Sequence, residues 1–192
     1  MFLPVRRARI VAATLLATLL GGCFGNGPIL THNDVAGAYE PDFLRVVGTG
    51  GNELRTIVVG NPFGGSAEVA RDLTIEAMQG AVAFTPVRFA AQPARAHPAN
   101  YRVYMVYQPA ITQAAGALCR GETPLAGQAS AGLRLLAVYC GGSFAMSEIT
   151  GRMEVMPSPG DPAFRSLVRQ VTLNLLPPSN PKHADSCTFF RC

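Results

Sequence analysis

The side chains most suited to covalent chemistry are five cysteines and three histidines. Residues 140–143, Cys-Gly-Gly-Ser, place a thiol and a hydroxyl on a predicted turn, where a nucleophile would need a base within hydrogen-bond reach. His32, His97 and His183 fall in segments that would not hold an imidazole rigidly against that turn, and the G-x-S-x-G motif is absent. The sequence therefore predicts no catalytic residue and favours a disulfide role for Cys140.

A glycine-rich segment, VVGNPFGGS at 58–66, lies between a predicted strand and a predicted helix. Backbone N–H groups at such a helix start can hold a phosphate. The segment matches neither G-x-x-x-x-G-K-[ST] nor G-x-G-x-x-G, and no Lys follows it. We interpret it as a structural turn, and the sequence predicts no cofactor.

Four cysteines in the second half of the chain favour disulfides: Cys119, Cys140, Cys187 and Cys192. Four cysteines permit three connectivities, and an oxidising compartment is the setting in which they pair. Cys187 and Cys192 are close enough to pair through a local turn, which leaves Cys119 to pair with Cys140. Metal binding is the alternative, but no C-x-x-C pair or adjacent His is present, so no metal site is predicted.

The N-terminus has the order of a secretory signal. Arg6, Arg7 and Arg9 precede the apolar run 10–20, which ends at two glycines. A transmembrane helix is the alternative, but about 20 apolar residues are needed to span a bilayer and this run is shorter. We therefore predict a signal peptide over 1–22.

Residues 20–23, Leu-Gly-Gly-Cys, resemble the lipobox of bacterial lipoprotein precursors. That resemblance implies cleavage before Cys23 and attachment of lipid to its thiol, and two or more acyl chains give stable anchoring. A plain signal peptide with an incidental cysteine is the alternative. By the sorting rule of enteric lipoproteins, Phe24 after the cysteine implies the periplasmic side of the outer membrane, if the source is Gram-negative.

The net charge argues against a basic surface for nucleic-acid binding. The formal charge is +4, but three of the sixteen basic residues are the signal arginines, which leaves thirteen basic against twelve acidic residues. Nucleic-acid-binding domains carry a concentrated basic face, and none is visible here. No nucleic-acid partner is predicted.

The remaining chain predicts one domain over 42–178, between a flexible lipid-anchored tether (23–41) and a C-terminal tail (179–192) closed by Cys187–Cys192. "FLRVV" and "LRTIVVG" predict a β-hairpin. Ser66 is a candidate N-cap of a helix that ends at Gly80 and buries Val69, Leu73 and Ala77.

Later segments predict further strands and a second helix. Residues 101–107 alternate as a strand does, and "LRLLAVYC" predicts a central strand buried on both faces. Asp161 and Pro162 predict a helix start, and Pro177 with Pro178 stops the helix. Its predicted buried stripe is Phe164, Leu167, Val168, Val171 and Leu175.

Two amphipathic helices with mostly hairpin-connected strands predict an α+β fold. We expect a two-layer sandwich with a mostly antiparallel sheet of about five strands and both helices on one face. The loop 61–64, Asn-Pro-Phe-Gly, and the hairpin 140–142, Cys-Gly-Gly, resemble those of uncharacterised proteobacterial lipoproteins, which imply no function.

Tyrosines mark the one candidate ligand face. Tyr101, Tyr104 and Tyr107 lie on one predicted strand, with Tyr104 on the face opposite the other two. Together with the anchor, the sequence predicts a non-enzymatic outer-membrane lipoprotein that binds an envelope protein partner or supports an assembly. The alternatives are a small-ligand or glycan binder that uses the tyrosines, and a hydrolase of unrecognised type.

Overall fold

The computed structural model describes residues 27–95, 100–127 and 131–184. Within these residues lie six strands and five helices. The strands are β1 Ile29–Val35, β2 Glu53–Val59, β3 Arg88–Ala90, β4 Arg102–Tyr107, β5 Leu133–Gly141 and β6 Phe144–Met153. The helices are α1 Asp42–Thr49, α2 Ala67–Met78, α3 Ala115–Cys119, α4 Pro162–Leu175 and α5 Pro181–Ala184.

The strands form one mixed sheet in the order β1-β6-β5-β4-β2-β3. The pairings β1–β6, β6–β5 and β5–β4 are antiparallel, whereas β4–β2 and β2–β3 are parallel. The α+β class is confirmed. The sheet has six strands rather than about five, because residues 29–35 of the expected tether and residues 88–90 add strands, whereas the predicted strand FLRVV is a helix.

The strand over residues 29–35 is the edge strand β1, which corrects the tether predicted over 23–41. Residues 29–35 pair with β6 from Ile29↔Arg152 to Val35↔Ser147, with one register shift between Leu30 and His32. Most of their side chains are exposed, so the segment gains its order from backbone pairing rather than from an apolar face. Hydropathy alone does not reveal such a strand.

The segment "FLRVV" is a helix, so the predicted hairpin was wrong. In α1, Leu44 and Val47 are buried and lie three residues apart, as on one helix face. Asp42 lies in the first turn, where a carboxylate is favourable, and pairs with Arg45 at 2.9 Å. β2 therefore has no hairpin partner before it and pairs in parallel with β4.

The two predicted amphipathic helices are present, and the buried face of one differs from the prediction. Ser66 caps α2 as expected, but the buried residues are Ala70, Thr74 and Met78, while Val69 is exposed. The predicted face was displaced by one residue. In α4, Asp161 is the N-cap, and all five predicted apolar residues are buried.

Both faces of the central strands are covered. The larger buried cluster joins residues of α1, α2 and α4 to Val103, Met105 and Tyr107 of β4. The smaller cluster joins α3 to Tyr104 and Val106 on the other face. β5 contributes to both clusters, as predicted for a strand buried on both sides.

The start of the predicted tail is held by Asn180. Its Nδ2 donates to the carbonyl oxygens of Ala36, Gly37 and Tyr39 at 2.9–3.2 Å. The side chain thereby joins the C-terminal segment to the loop after β1. Cys187 and Cys192 lie outside the described residues, as does Cys23.

Candidate functional site

The structure does not assemble the three predicted tyrosines into a ligand face. Tyr107 is buried, and its hydroxyl lies 2.6 Å from the hydroxyl of Thr74 on α2. Tyr104 is buried on the opposite face, with the guanidinium of Arg102 at 5.8 Å from its ring centre. Neither ring is therefore open to a ligand.

Tyr101 is partly exposed, and its ring stacks with two other rings. Its ring centre lies 5.5 Å from that of Phe43 and 6.0 Å from that of Tyr139, each with 28° between the planes. A sugar-binding platform needs an open aromatic face. Tyr101 instead links an exposed ring, Phe43, to the buried core.

These rings belong to a surface that we call the aromatic patch, formed by Phe43, Tyr101 and Phe144. Gly141 pairs with Phe144 across the β5–β6 hairpin, so both residues face the same side of the sheet. A Cβ at Gly141 would lie 3.2 Å from Cε1 of Tyr101. The glycine thus allows Tyr101 to lie against the hairpin at the residue that pairs with Phe144, which is 74% exposed.

The tyrosine hydroxyls in and beneath the aromatic patch are neutral at ordinary pH. Burial raises the pKa of Tyr39, Tyr101 and Tyr139 above the usual value. The Tyr39 hydroxyl donates to the carbonyl oxygen of Pro177 at 2.7 Å. The buried Tyr139 hydroxyl has no hydrogen-bond partner in the part of the chain that the structure describes. This arrangement is suited to apolar contact rather than to proton transfer.

The predicted Cys119–Cys140 disulfide is present, with the two Cα atoms 5.5 Å apart. Both cysteines are buried in the smaller cluster, Cys119 as the last residue of α3, and Arg102 donates a hydrogen bond to the carbonyl oxygen of Cys119. The bond therefore holds α3 against the end of β5 that adjoins the hairpin. Cys140 is a structural residue and not a nucleophile.

The opposite end of the sheet carries a second apolar surface, the aliphatic rim. Its members are exposed aliphatic or Met side chains at or beyond the strand ends: Ile29, Ile111, Leu125, Val155 and Met156. The Ala110 N–H donates to the Leu125 carbonyl oxygen at 3.0 Å. Gln108 Nε2 donates to the Gly132 carbonyl oxygen at 2.8 Å and contacts the sulfur of Met156 at 3.6 Å. Loops held largely by polar contacts thus carry the rim.

A groove of about 300 Å³ lies between the aliphatic rim and the part of the sheet that carries His32 and Glu148. Nε2 of His32 and Oε1 of Glu148 meet at 2.9 Å on its wall, next to Gln113 and Arg134. Sequence reasoning missed this pair because His32 was assigned to the tether and Glu148 is 116 residues away. A carboxylate-oriented imidazole can act as a base, but it needs a positioned nucleophile to complete a catalytic pair.

The glycine-rich loop forms the structural turn that the sequence predicts. Nδ2 of Asn61 donates to the carbonyl oxygens of Gly64, Gly65 and Ser66 at 3.0–3.1 Å. Gly64 and Gly65 both have φ of +71°, a conformation that favours glycine. The side chain of Asn61 thus closes the loop on itself.

Within residues 27–95, 100–127 and 131–184, no helix is long and apolar enough to cross a bilayer, and no three His, Cys, Asp or Glu side chains gather as metal ligands. Comparison with protein-family models, curated proteins and solved structures finds no match to this chain. The functional argument therefore rests on its own residues.

Proposed function

We propose that this chain is a lipid-anchored lipoprotein of the bacterial outer membrane whose periplasmic domain binds a protein partner through the aromatic patch. The lipobox resemblance at Cys23 supports the anchor. The buried Cys119–Cys140 disulfide supports an oxidising compartment, because disulfides persist in secreted proteins and in the periplasm.

The aromatic patch is the observation that carries the binding role. Phe144 is exposed at the β5–β6 hairpin, and Phe43 stacks on Tyr101, which lies against Gly141, the residue that pairs with Phe144. Rigid aromatic anchors surrounded by packed side chains are the usual energetic centres of protein interfaces. A partner that presents an apolar pocket to Phe144 is therefore the occupant that this surface favours.

The position of the patch supports a protein rather than a lipid as its occupant. Phe144 opens β6, whereas Ile29, the strand residue nearest to Cys23, pairs with Arg152 near the other end of β6. Ten residues of β6 correspond to about 30 Å. An anchor at Cys23 leaves the aromatic patch at the end of the sheet farther from the membrane.

The glycan-binding alternative loses the residues on which it depended. Two of the three tyrosines, Tyr104 and Tyr107, are buried, and the ring of Tyr101 stacks with those of Phe43 and Tyr139. The tyrosines are better accounted for by packing than by ligand recognition.

The anchor is tested with Cys23→Ala in the full chain. We expect the protein to leave the membrane fraction, or to persist as uncleaved precursor, while the domain keeps its circular dichroism spectrum. The reason is that residue 23 precedes the first strand. Acyl labelling that is unchanged in this variant would rule out Cys23 as the lipid attachment site.

The partner is tested with a photocrosslinking amino acid at Phe144 in living cells. The matched control places it at Val69, an exposed apolar residue on α2 outside the patch. We expect a reproducible protein adduct from position 144 only, identified by mass spectrometry. No protein adduct at 144, or the same adducts at both positions, contradicts the proposal.

A further inference from the structure

The distance from the predicted anchor to the fold is short. Because β1 begins at Ile29, only residues 24–28 separate it from Cys23. Six Cα–Cα steps span at most about 20 Å, even when fully extended. A lipid on Cys23 therefore holds this end of the sheet close to the membrane surface.

The aliphatic rim lies at that same end. Val155 and Met156 lie two and three residues beyond the end of β6, past the Ile29↔Arg152 pair. Ile111 and Leu125 belong to the segment that leaves β4, and Ile111 is 92% exposed. Exposed apolar groups gathered at one end of a domain mark an interaction surface.

A charge arrangement beside the rim favours an anionic ligand. Arg134 and Arg152 lie directly opposite each other on β5 and β6, an arrangement that is unfavourable for like charges. Glu154 pairs with Arg152, its Oε1 lying 3.5 Å from Nη2 of that residue. Arg134 is partly buried, and its Nη2 donates to the carbonyl oxygen of Pro109 at 3.2 Å. The two arginines and Glu154 together keep a net positive charge, which anionic lipid headgroups would offset.

We propose that the aliphatic rim rests on the leaflet that holds the Cys23 anchor, with Arg134 and Arg152 at the level of the anionic headgroups. This rests on the proposed lipid anchor. The rim gives the domain a second membrane contact and a fixed orientation, with the aromatic patch turned away from the bilayer. The acyl chains and the protein surface then both contribute to membrane binding.

The chain has no tryptophan, so one introduced residue reports its own surroundings. The full acylated chain is reconstituted in vesicles of phosphatidylethanolamine and phosphatidylglycerol that carry bromine on their acyl chains. Ile111→Trp is the reporter, Leu125→Trp is a second reporter from the same rim, and Phe144→Trp is the control at the opposite end. All three positions are exposed, so each variant is expected to fold.

We expect brominated lipid to quench Ile111→Trp and Leu125→Trp by at least about twofold, with blue-shifted emission, because interfacial groups lie about 5–10 Å into the headgroup and acyl boundary. The emission of Phe144→Trp in brominated vesicles should be as strong as its emission in detergent solution without lipid. In vesicles that lack phosphatidylglycerol, the quenching of the two rim reporters should be weaker.

The outcomes separate this inference from the proposed function. If the chain carries no acyl mass and does not float with the vesicles, the anchor is refuted, and with it the membrane contact. An acylated chain that floats with both rim reporters unquenched refutes the contact alone. Equal quenching at positions 111 and 144 refutes the fixed orientation.

Discussion

The two ends of the sheet differ in how their apolar groups are held. At the aromatic patch, Tyr101 stacks with two other rings, and the Cys119–Cys140 bond joins α3 to the neighbouring end of β5. At the aliphatic rim, Ile29 begins β1, and the other apolar side chains sit on loops joined by backbone hydrogen bonds and by Gln108. A preorganised ring cluster loses little freedom when it meets a partner of fixed shape. Separate aliphatic groups suit a fluid surface, which needs no shape complementarity.

Alkaline pH is expected to cause the largest change, because three buried tyrosines act together. Burial raises the pKa of Tyr39 and Tyr139 near the aromatic patch and of Tyr107 near the rim. Their contribution to stability is fully present below about pH 10 and is lost as the pH rises towards the folded-state values. Urea unfolding midpoints should therefore fall steeply above that pH. Ionisation of these three hydroxyls in a still folded protein, seen by tyrosinate absorbance, would contradict this.

Removal of the disulfide tests how much stability the bond supplies at the end of the sheet that carries the aromatic patch. The bond joins residues 21 apart. Cys119→Ala combined with Cys140→Ala should lower the free energy of unfolding by about 3 kcal/mol. Hydrogen exchange should show faster exchange in α3, with the rim loops less affected. Equal stability of the double variant and the oxidised parent would show that α3 is held by packing alone.

Two buried hydroxyls give a matched comparison with opposite signs. Tyr107→Phe removes the hydrogen bond to Thr74 and should destabilise the fold by about 1 kcal/mol. Tyr139→Phe removes a buried hydroxyl that lacks a partner among the described residues, and should be neutral or stabilising by about 1 kcal/mol. Urea unfolding measures both. A loss at position 139 as large as that at 107 would mean that the Tyr139 hydroxyl is hydrogen-bonded in solution.

The smallest effects are expected at the exposed tips of the two surfaces. Phe144→Ala and Ile111→Ala should each change the free energy of unfolding by less than about 0.5 kcal/mol, because both side chains are exposed. Thermal unfolding checks this. A larger change at either position would show that the residue packs within the fold, and its use as a reporter of binding would fail.

The features that sequence predicts well are those encoded locally. Asp161 and Pro162 mark the start of α4, and the spacing of its apolar residues gives the buried stripe. The Cys119–Cys140 pair was predicted by exclusion, because Cys187 and Cys192 are close enough in sequence to pair locally. By contrast, "FLRVV" contains β-branched residues that favour a strand, although packing against the sheet makes it part of a helix.

The candidate surfaces were harder to predict because they depend on topology. Phe43 meets Tyr101 across 58 residues of chain, and Gly141 makes room for that ring. The rim gathers Ile29, Ile111 and Val155 from three separate segments that share no periodicity. Only the sheet order shows that these residues occupy one end.

The pairing of β1 with β6 also affects how the domain folds. The hydroxyl of Thr31 donates to the carbonyl oxygen of Thr150 across 119 residues of sequence. Contacts of such high contact order form slowly, because the intervening loop must close before the pairing stabilises it. β1 is thus expected to join the sheet last, after β6 has folded against β5. During that interval β6 is an open edge, and the unpaired β1 segment is the part of the sheet most exposed to chaperones and proteases.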